Sequence, residues 1–298
     1  MSRPEASSSR DAHRGVGRPV IRSAPANSIL LRAHPGWRAL DLAEFWGYRE
    51  LLAFLALREL QVRYRQMALG AAWAIIQPLM TMVVFTVFFG YLGGFRAQSD
   101  KPYAVLTFCA LLPWQLFANA LTQSGNSLVA NERLMTKVYF PRLIIPVAPV
   151  VAGLVDFAIG LLVLLGMMLF YGISPHWGIA LLPAFVAFAM LAALAPGLWL
   201  CALNVEYRDV RATIPFLTQF WMFITPIAYP ITMVPERWRT LYAVNPMVGV
   251  VEGFRWALLG GTHPPIVPML VSGGVTALML IGGLYFFRRM EKTFADRV

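Results

Sequence analysis

Thirty consecutive residues, Gln66 to Phe95, carry no charged side chain, although Arg58, Glu59, Arg63 and Arg65 crowd the stretch just before them. A water-soluble helix keeps a polar face, whereas a run of about 20 apolar residues matches the ~30 Å hydrocarbon layer of a bilayer. Lipid is the environment that lets a chain leave its cations so abruptly. Arg63 and Arg65 then sit at headgroup level, within reach of phosphate, while Leu69 onward enters hydrocarbon. Trp73 and Tyr91 fall near the two ends of the span, where amphipathic rings are favourable. Anchoring by positive charge alone accounts for the same two arginines without a further role.

The break recurs along the chain. Spans are expected over about 70–91, 102–125, 143–170, 177–200, 212–233 and 266–287. Pro113 gives the second a kink. The third is long enough to tilt and contains Asp156, and the fifth holds Pro215, Pro226 and Pro230, which a smooth lipid-facing helix does not tolerate. Residues 234–265 mix charges with apolar pieces too short to cross, which suits one or two short helices at an interface or dipping into it. Only 13% of residues are charged, about half the share usual in soluble domains, and mean hydropathy is +0.61. The net charge of +10 does not indicate nucleic acid, because the cations lie between apolar runs and form no patch on a soluble domain. The fold class is an all-α polytopic membrane protein.

Residues 1–35 hold six arginines with serines and prolines and almost nothing to pack, and read as a disordered basic tail without a cleaved secretion signal. The membrane domain is then 36–298. It opens with an imperfect amphipathic helix over about 41–66, with Leu52, Ala56, Leu60 and Tyr64 on one side and Arg58, Gln61 and Arg65 on another. Such a helix lies in the headgroup plane or packs on its own bundle. Six crossings put both ends on one side, and that side collects 20 of the 25 Lys and Arg residues. The bias places both termini in the cytoplasm.

Chemistry-bearing motifs are few. No phosphate loop, HExxH, zinc cysteine pair or GxSxG elbow is present, and His13, His34, His176 and His263 make no convincing metal or acid–base set. Cys109 and Cys201 lie inside apolar runs and read as small buried hydrophobes. No cofactor is expected in this chain, and uphill transport requires a nucleotide site on another polypeptide. Residues 126–141 suit a short cytoplasmic helix, with Leu128, Leu134 and Val138 on an apolar side and Glu132, Arg133 and Lys137 offering charge to a partner. A capped linker with incidental charge explains the segment less specifically. Asp156 either lies deep, needing a partner or solvated cavity, or caps locally near the headgroups. Arg208 and Asp209 join an inner-side network or a solvated turn, and Glu252 and Arg255, three apart, can pair on one helical face. Phe85, Phe88, Phe89, Tyr103, Trp114, Phe117, Trp221 and Tyr229 are candidate channel aromatics, since sugar rings slide on aromatic faces, although packing and interfacial belts use aromatics too.

RYRQMALGAAW at 63–73 followed by Pro78, NERLMTKVYFPR at 131–142, NVEYRDVR at 204–211, AVNPMVGVVEGFRWALLG at 243–260 and the terminal EKTFADRV stand in an order that resembles the permease subunits of bacterial ABC-2 polysaccharide exporters. The resemblance covers about residues 40–298. It implies six transmembrane helices, an N-terminal interface helix, a coupling helix in the 126–141 loop, and outer re-entrant helices between spans five and six. It also implies a homodimer in the bacterial inner membrane with two cytoplasmic ABC ATPase subunits, which hold ATP and Mg. The substrate implied is an undecaprenyl-linked polysaccharide such as O antigen, capsule or teichoic acid. Arg58, Arg63 and Arg65 would meet the lipid pyrophosphate, and Asn245, Pro246, Glu252 and Arg255 match the family's outer positions. The rival readings are an ABC-2 permease for a drug or lipid-like amphiphile and, more distantly, a membrane-embedded glycosyl- or acyltransferase, which the scarcity of convergent acids and histidines disfavours.

Overall fold

A single helix, α4 (Tyr103–Ala130), forms the axis on which the other elements assemble. The computed structural model describes residues 42–65, 72–94, 101–137, 140–207, 209–261 and 263–297; the basic tail and Arg208 and Val138 lie outside them. The apolar window of α4 is 72% buried, against 17% for α3 (Trp73–Phe85, continued as a π-helix through Leu92) and 17% for α11 (Ile266–Arg297). Lipid-facing stripes run down both outer helices: Met80, Val84, Phe88 and Tyr91 on α3 and its extension, and Leu270, Leu278, Ile281 and Tyr285 on α11.

Alongside α4 pack α6 (Ile144–Phe170) and α7 (Leu182–Glu206), the latter preceded by a 3₁₀ turn at Trp177–Leu181. Apolar burial gives little drive between helices in lipid, so close approach has to supply the attraction. Small residues provide it. Ala189, Ala192 and Ala193 have no exposed surface, and a Cβ on Gly160 would stand 2.5 Å from Leu112 Cδ1. Asn204, buried in α7, donates to Gly125 O at 3.0 Å and to Asn126 Oδ1 at 3.1 Å, so α4 and α7 are also joined through polar groups.

At the Asn131 end of α4 lie α1 (Leu42–Gly47), α2 (Arg49–Arg65) and the short α5 (Glu132–Lys137). Leu55 of α2 joins Leu128, Phe140, Ile144, Phe287 and Phe294 in a second apolar cluster. The expected division of α2 into apolar and polar sides holds only in part. Ala56 is buried against the bundle, but Phe54, Leu57 and Val62 point outward, each more than half exposed beside Gln61 and Arg65. Both sides are apolar because one meets protein and the other is left to lipid or a partner. The expected 126–141 loop also begins later: α4 stays helical to Ala130.

The fifth span departs most from expectation. The described residues contain five helices long and apolar enough to cross, and α8 (Val210–Phe223) is not among them. Its 14 residues reach about 21 Å, short of the hydrocarbon layer. Even so, the chain here runs beside α4 from end to end. Ile214 lies against Gly125, the Trp221 ring meets Phe117 at 5.1 Å, and Ala228 O accepts from the Tyr103 hydroxyl. From residue 125 to 103, α4 rises about 33 Å. Residues 214–223 cover part of that height as ten helical residues, about 15 Å, and residues 224–229 continue it as bent, non-helical backbone. Pro226 and Pro230 explain the change: each lacks an N–H and biases the residue before it away from α. Among the described residues, five long apolar helices and this one broken stretch run along the bundle.

After that pass, α9 (Glu236–Tyr242) and α10 (Pro246–Leu259) follow. Asn245 lies at the depth of Ile224, and α10 then climbs to the Tyr103 end, where Lys101 Nζ and His176 N–H donate to Leu259 O and Leu258 O. The segment therefore leaves the Tyr103 end and returns to it.

Candidate functional site

Non-helical backbone within a membrane-height bundle needs its carbonyls and amides answered by protein, since hydrocarbon offers nothing. Residues 225–228 are all buried. Arg255, on α10, donates from Nη2 to Ile227 O at 2.9 Å and from Nη1 to Tyr229 O at 3.4 Å, and Nη1 also reaches Glu252 Oε1 at 3.0 Å. Tyr103 takes the carbonyl between them, on Ala228. Three successive carbonyls are thus held by two side chains. The Glu252–Arg255 pair, 15% and 14% exposed, neutralises the guanidinium where water screens little.

Asn245 closes the lower end of this segment. Its Oδ1 accepts from Met247 N at 3.0 Å, capping α10, and from Trp221 Nε1 at 2.8 Å. Its Nδ2 donates to Ile224 O at 3.0 Å and Thr225 Oγ1 at 3.1 Å. One amide thereby uses both acceptor sites and both donors. Pro246 occupies the first position of the helix, where a missing N–H costs nothing. Gly253 is required on the opposite face of α10, because a Cβ there would meet the Phe185 ring at 2.4 Å. The four outer positions singled out from the sequence are therefore brought together around one stretch of backbone. Near them, Tyr229 and Tyr242 share a hydroxyl contact of 2.5 Å, and burial together with that bond raises the Tyr242 phenol far above its ordinary value.

At the Asn131 end, α2 is fastened at two points. Arg58 Nη2 donates to Asn131 Oδ1, at the junction of α4 and α5, and Asn131 Nδ2 returns to Ser127 O at 2.9 Å. Further along, Arg63 Nη1 and the Tyr64 hydroxyl both reach the Asp156 carboxylate. Asp156 thus has its partners on the interface helix. Burial, then the hydrogen bond to Asp156, pushes the Tyr64 phenol up to about 12, so it stays a donor at working pH. Arg65 is exposed beyond this clasp.

Of the residues expected on the docking helix, Glu132 and Arg133 are exposed on α5, and Leu134 packs on the apolar cluster. Lys137 closes α5. Leu128 is a correction: it belongs to the last turn of α4 and has no exposed surface, so it supports the loop from within and offers nothing to a partner. Asp209 is exposed at the start of α8, where its carbonyl accepts from Ala212 N at 3.1 Å.

The aromatic candidates also sort by burial. Tyr103, Trp114 and Phe117 belong to the core of the chain, and Phe85, Phe89, Trp221 and Tyr229 are half-buried in packing or hydrogen bonds. Phe88 alone of the eight is well exposed, at 59%. Composition along a span does not say which face a ring occupies. Three further exposed rings share one helix: Phe216, Phe220 and Phe223 of α8 are 71%, 56% and 59% exposed, with Gln219 exposed beside them, and Ile214 is the single buried residue of that helix. Their i, i+4, i+7 spacing in FLTQFWMF was the available signal. Tyr64, Asn131, Asn204 and Lys101 were missed as well, since each gains meaning only from a partner distant in sequence.

Comparison with known proteins settles the class. The family profile of the ABC-2 type transporter matches residues 50–259. The chain belongs to the ABC-2 transporter membrane family. It is 30% identical over 257 residues to an O-antigen export system permease protein RfbA of Myxococcus xanthus, covering 86% of this chain and 98% of that one. A Klebsiella pneumoniae RfbA is 26% identical, covering 83% of this chain and 94% of its own length. The Escherichia coli polysialic acid transport protein KpsM is likewise 26% identical, covering 80% and 92%. The matched interval of this ABC-2 protein contains the α2 clasp, α5, the broken pass and α10.

Proposed function

We propose that this ABC-2 protein is the permease subunit of an ATP-driven exporter that carries a lipid-linked polysaccharide across the bacterial inner membrane. Relatives named for O-antigen export and polysialic acid transport, aligned over most of their length, support a polysaccharide as cargo. Two copies form the path. Two separate ATPase subunits hold ATP and Mg and dock on α5, at the Asn131 end, which the Lys and Arg bias assigns to the cytoplasm. Arg65, exposed past the clasp of α2, meets the pyrophosphate of the undecaprenyl carrier. The chain moves its cargo mechanically and performs no covalent step.

The exposed arc of α8 carries the reading. A helix facing only hydrocarbon has no use for an amide, yet Gln219 stands among Phe216, Phe220 and Phe223. Sugar rings slide over aromatic faces while their hydroxyls exchange hydrogen bonds with a few polar side chains, which favours passage over capture. A second copy places the same arc across the path.

The test is reconstitution of the permease with its ATPase in vesicles. Undecaprenyl-linked polysaccharide should stimulate ATP hydrolysis and be transferred, and small amphiphiles should do neither. Replacing Phe216 and Phe220 together by Ala should slow transfer while leaving the ATPase assembled. Stimulation by amphiphiles alone would overturn the glycan assignment.

A further inference from the structure

One residue, Asn131, separates α4 from α5, the helix on which the ATPase is proposed to dock. Its φ of −115° and ψ of 24° leave the helical region, so the chain changes direction here. The turn is held at both ends. Asn131 N–H and Nδ2 donate to Ser127 O at 3.1 and 2.9 Å, answering a carbonyl in the last turn of α4, and Asn131 O accepts from Leu134 N at 3.0 Å as α5 begins. The side chain is only 7% exposed, so its Oδ1 needs a protein donor. Arg58 Nη2, from α2, supplies it.

That bond is the main polar commitment of Arg58, because its contact with Glu59 Oε1, at 3.5 Å, is long for a hydrogen bond. Leu55, three residues earlier on the same face of α2, is 4% exposed and shares an apolar cluster with Leu128 of α4 and Leu134 and Met135 of α5. Apolar and polar groups of one helix face therefore support the same elbow. About 8 Å further along α2, Arg63 and Tyr64 hold Asp156 of α6. The interface helix thus braces the elbow against the bundle.

We infer that Arg58 is a positioning residue for the docking helix: through the Asn131 amide it fixes the angle at which α5 leaves α4, and it makes α2 and α5 move together. The inference rests on the proposed function only for what docks on α5 and what stimulates it. Meeting the lipid pyrophosphate, the role implied for Arg58 by resemblance, is a different task with different kinetics. A phosphate ligand governs how much carrier is needed, whereas an elbow brace governs how much hydrolysis the bound carrier elicits.

The experiment has two arms. In the first, the permease assembled with its ATPase in nanodiscs is titrated with undecaprenyl-linked polysaccharide, and hydrolysis per complex gives a maximum and a half-maximal concentration. Arg58→Ala should lower maximal stimulation about tenfold and keep the half-maximal concentration within about twofold. Arg58→Lys, which keeps a donor for Oδ1, should recover most of the loss. In an Asn131→Ala background, Arg58→Ala should have no further effect, since the bond is already gone. A raised half-maximal concentration with an unchanged maximum would overturn the proposal in favour of the phosphate role. Losses that multiply in the double variant would overturn it too. The second arm needs neither cargo nor ATPase. Spin labels at Gln61 of α2 and Glu132 of α5, both exposed, should give a narrow distance distribution in the full-length permease, broadened by Arg58→Ala and restored by Arg58→Lys. An equally narrow distribution in Arg58→Ala would sink the tie between the two helices. Broadening in that variant, with no stimulation by polysaccharide even in wild type, would remove the export reading and leave the brace standing.

Discussion

α4 and the pass from Ile214 to Ala228 cover the same height of the bundle by opposite means. In α4 the 28 residues form one helix whose backbone satisfies itself, and its side chains are free to pack. The neighbouring pass is helical for part of its length and then leaves its carbonyls to Arg255, Tyr103 and Asn245. A helix holds its shape wherever it sits. The broken pass holds its shape only while α10 stays in place, so any displacement of α10 is passed directly to residues 224–230. Stability in α4 is distributed over many contacts, and in the broken pass it is concentrated in three side chains.

The largest effect should come from removing the most committed of the three. Arg255→Met strips the Ile227 and Tyr229 carbonyls of their donor and leaves Glu252 charged, buried and unpaired. Breaking one partner of a buried pair costs about 3–5 kcal/mol. Thermal unfolding in nanodiscs should show that loss, and Glu252→Gln combined with Arg255→Met should recover part of it. A Tm within a degree of wild type for the single variant would mean that the non-helical backbone finds other donors, and the contrast with α4 would fail.

Asn245→Ala should rank next, at about 1–3 kcal/mol, because it orphans an indole N–H, a helix-capping amide and a carbonyl together. Asn245→Asp keeps the acceptor for Met247 and Trp221 while losing the donor to Ile224 O, and should fall between. Identical losses for Ala and Asp would assign all of the effect to the donor side.

Hydropathy made α3, α4, α6, α7 and α11 legible, because a long uncharged run in lipid has helix as its ready solution. In the fifth pass the same measure runs straight through Pro226 and Pro230, but those prolines already excluded a smooth helix there, and the helix ends at Phe223. Asn245, Pro246, Glu252 and Arg255 were singled out by resemblance, yet the carbonyls they serve lie up to 28 residues away and leave no mark in the local pattern. The Arg63–Asp156 contact, across 93 residues, was invisible for the same reason. Leu128 was misplaced because one more turn of α4 rotates a docking residue into the core.

That contact divides two arginines which look equivalent in sequence. Arg63 presents its guanidinium to Asp156 with both side chains largely buried, so Arg63→Lys loses oriented donors and should cost about 1–2 kcal/mol. Arg65 is exposed, so Arg65→Lys should leave unfolding unchanged and lower polysaccharide-stimulated hydrolysis. Loss of stimulation in Arg63→Lys alone would transfer the phosphate role to the clasp. Two silent variants would leave both arginines as membrane anchors.

The smallest effect sharpens the comparison from the α4 side. Ser124 has no exposed surface and its hydroxyl oxygen has no partner, while Gly197 of α7 lies close enough that a Cβ there would meet Ser124 Oγ at 2.9 Å. In the broken pass a polar side chain is held by what it bonds, but here the hydroxyl is held by packing. Ser124→Ala removes an unpaired buried group and one atom of volume, two changes of opposite sign, so unfolding should shift by less than about 0.5 kcal/mol. Ser124→Val, which keeps the bulk and adds more against Gly197, should cost about 1–3 kcal/mol by overpacking. If Ser124→Ala instead loses as much as Asn245→Ala, α4 also depends on a polar contact to hold its neighbour. Distributed packing would then no longer be what distinguishes it from the pass beside it.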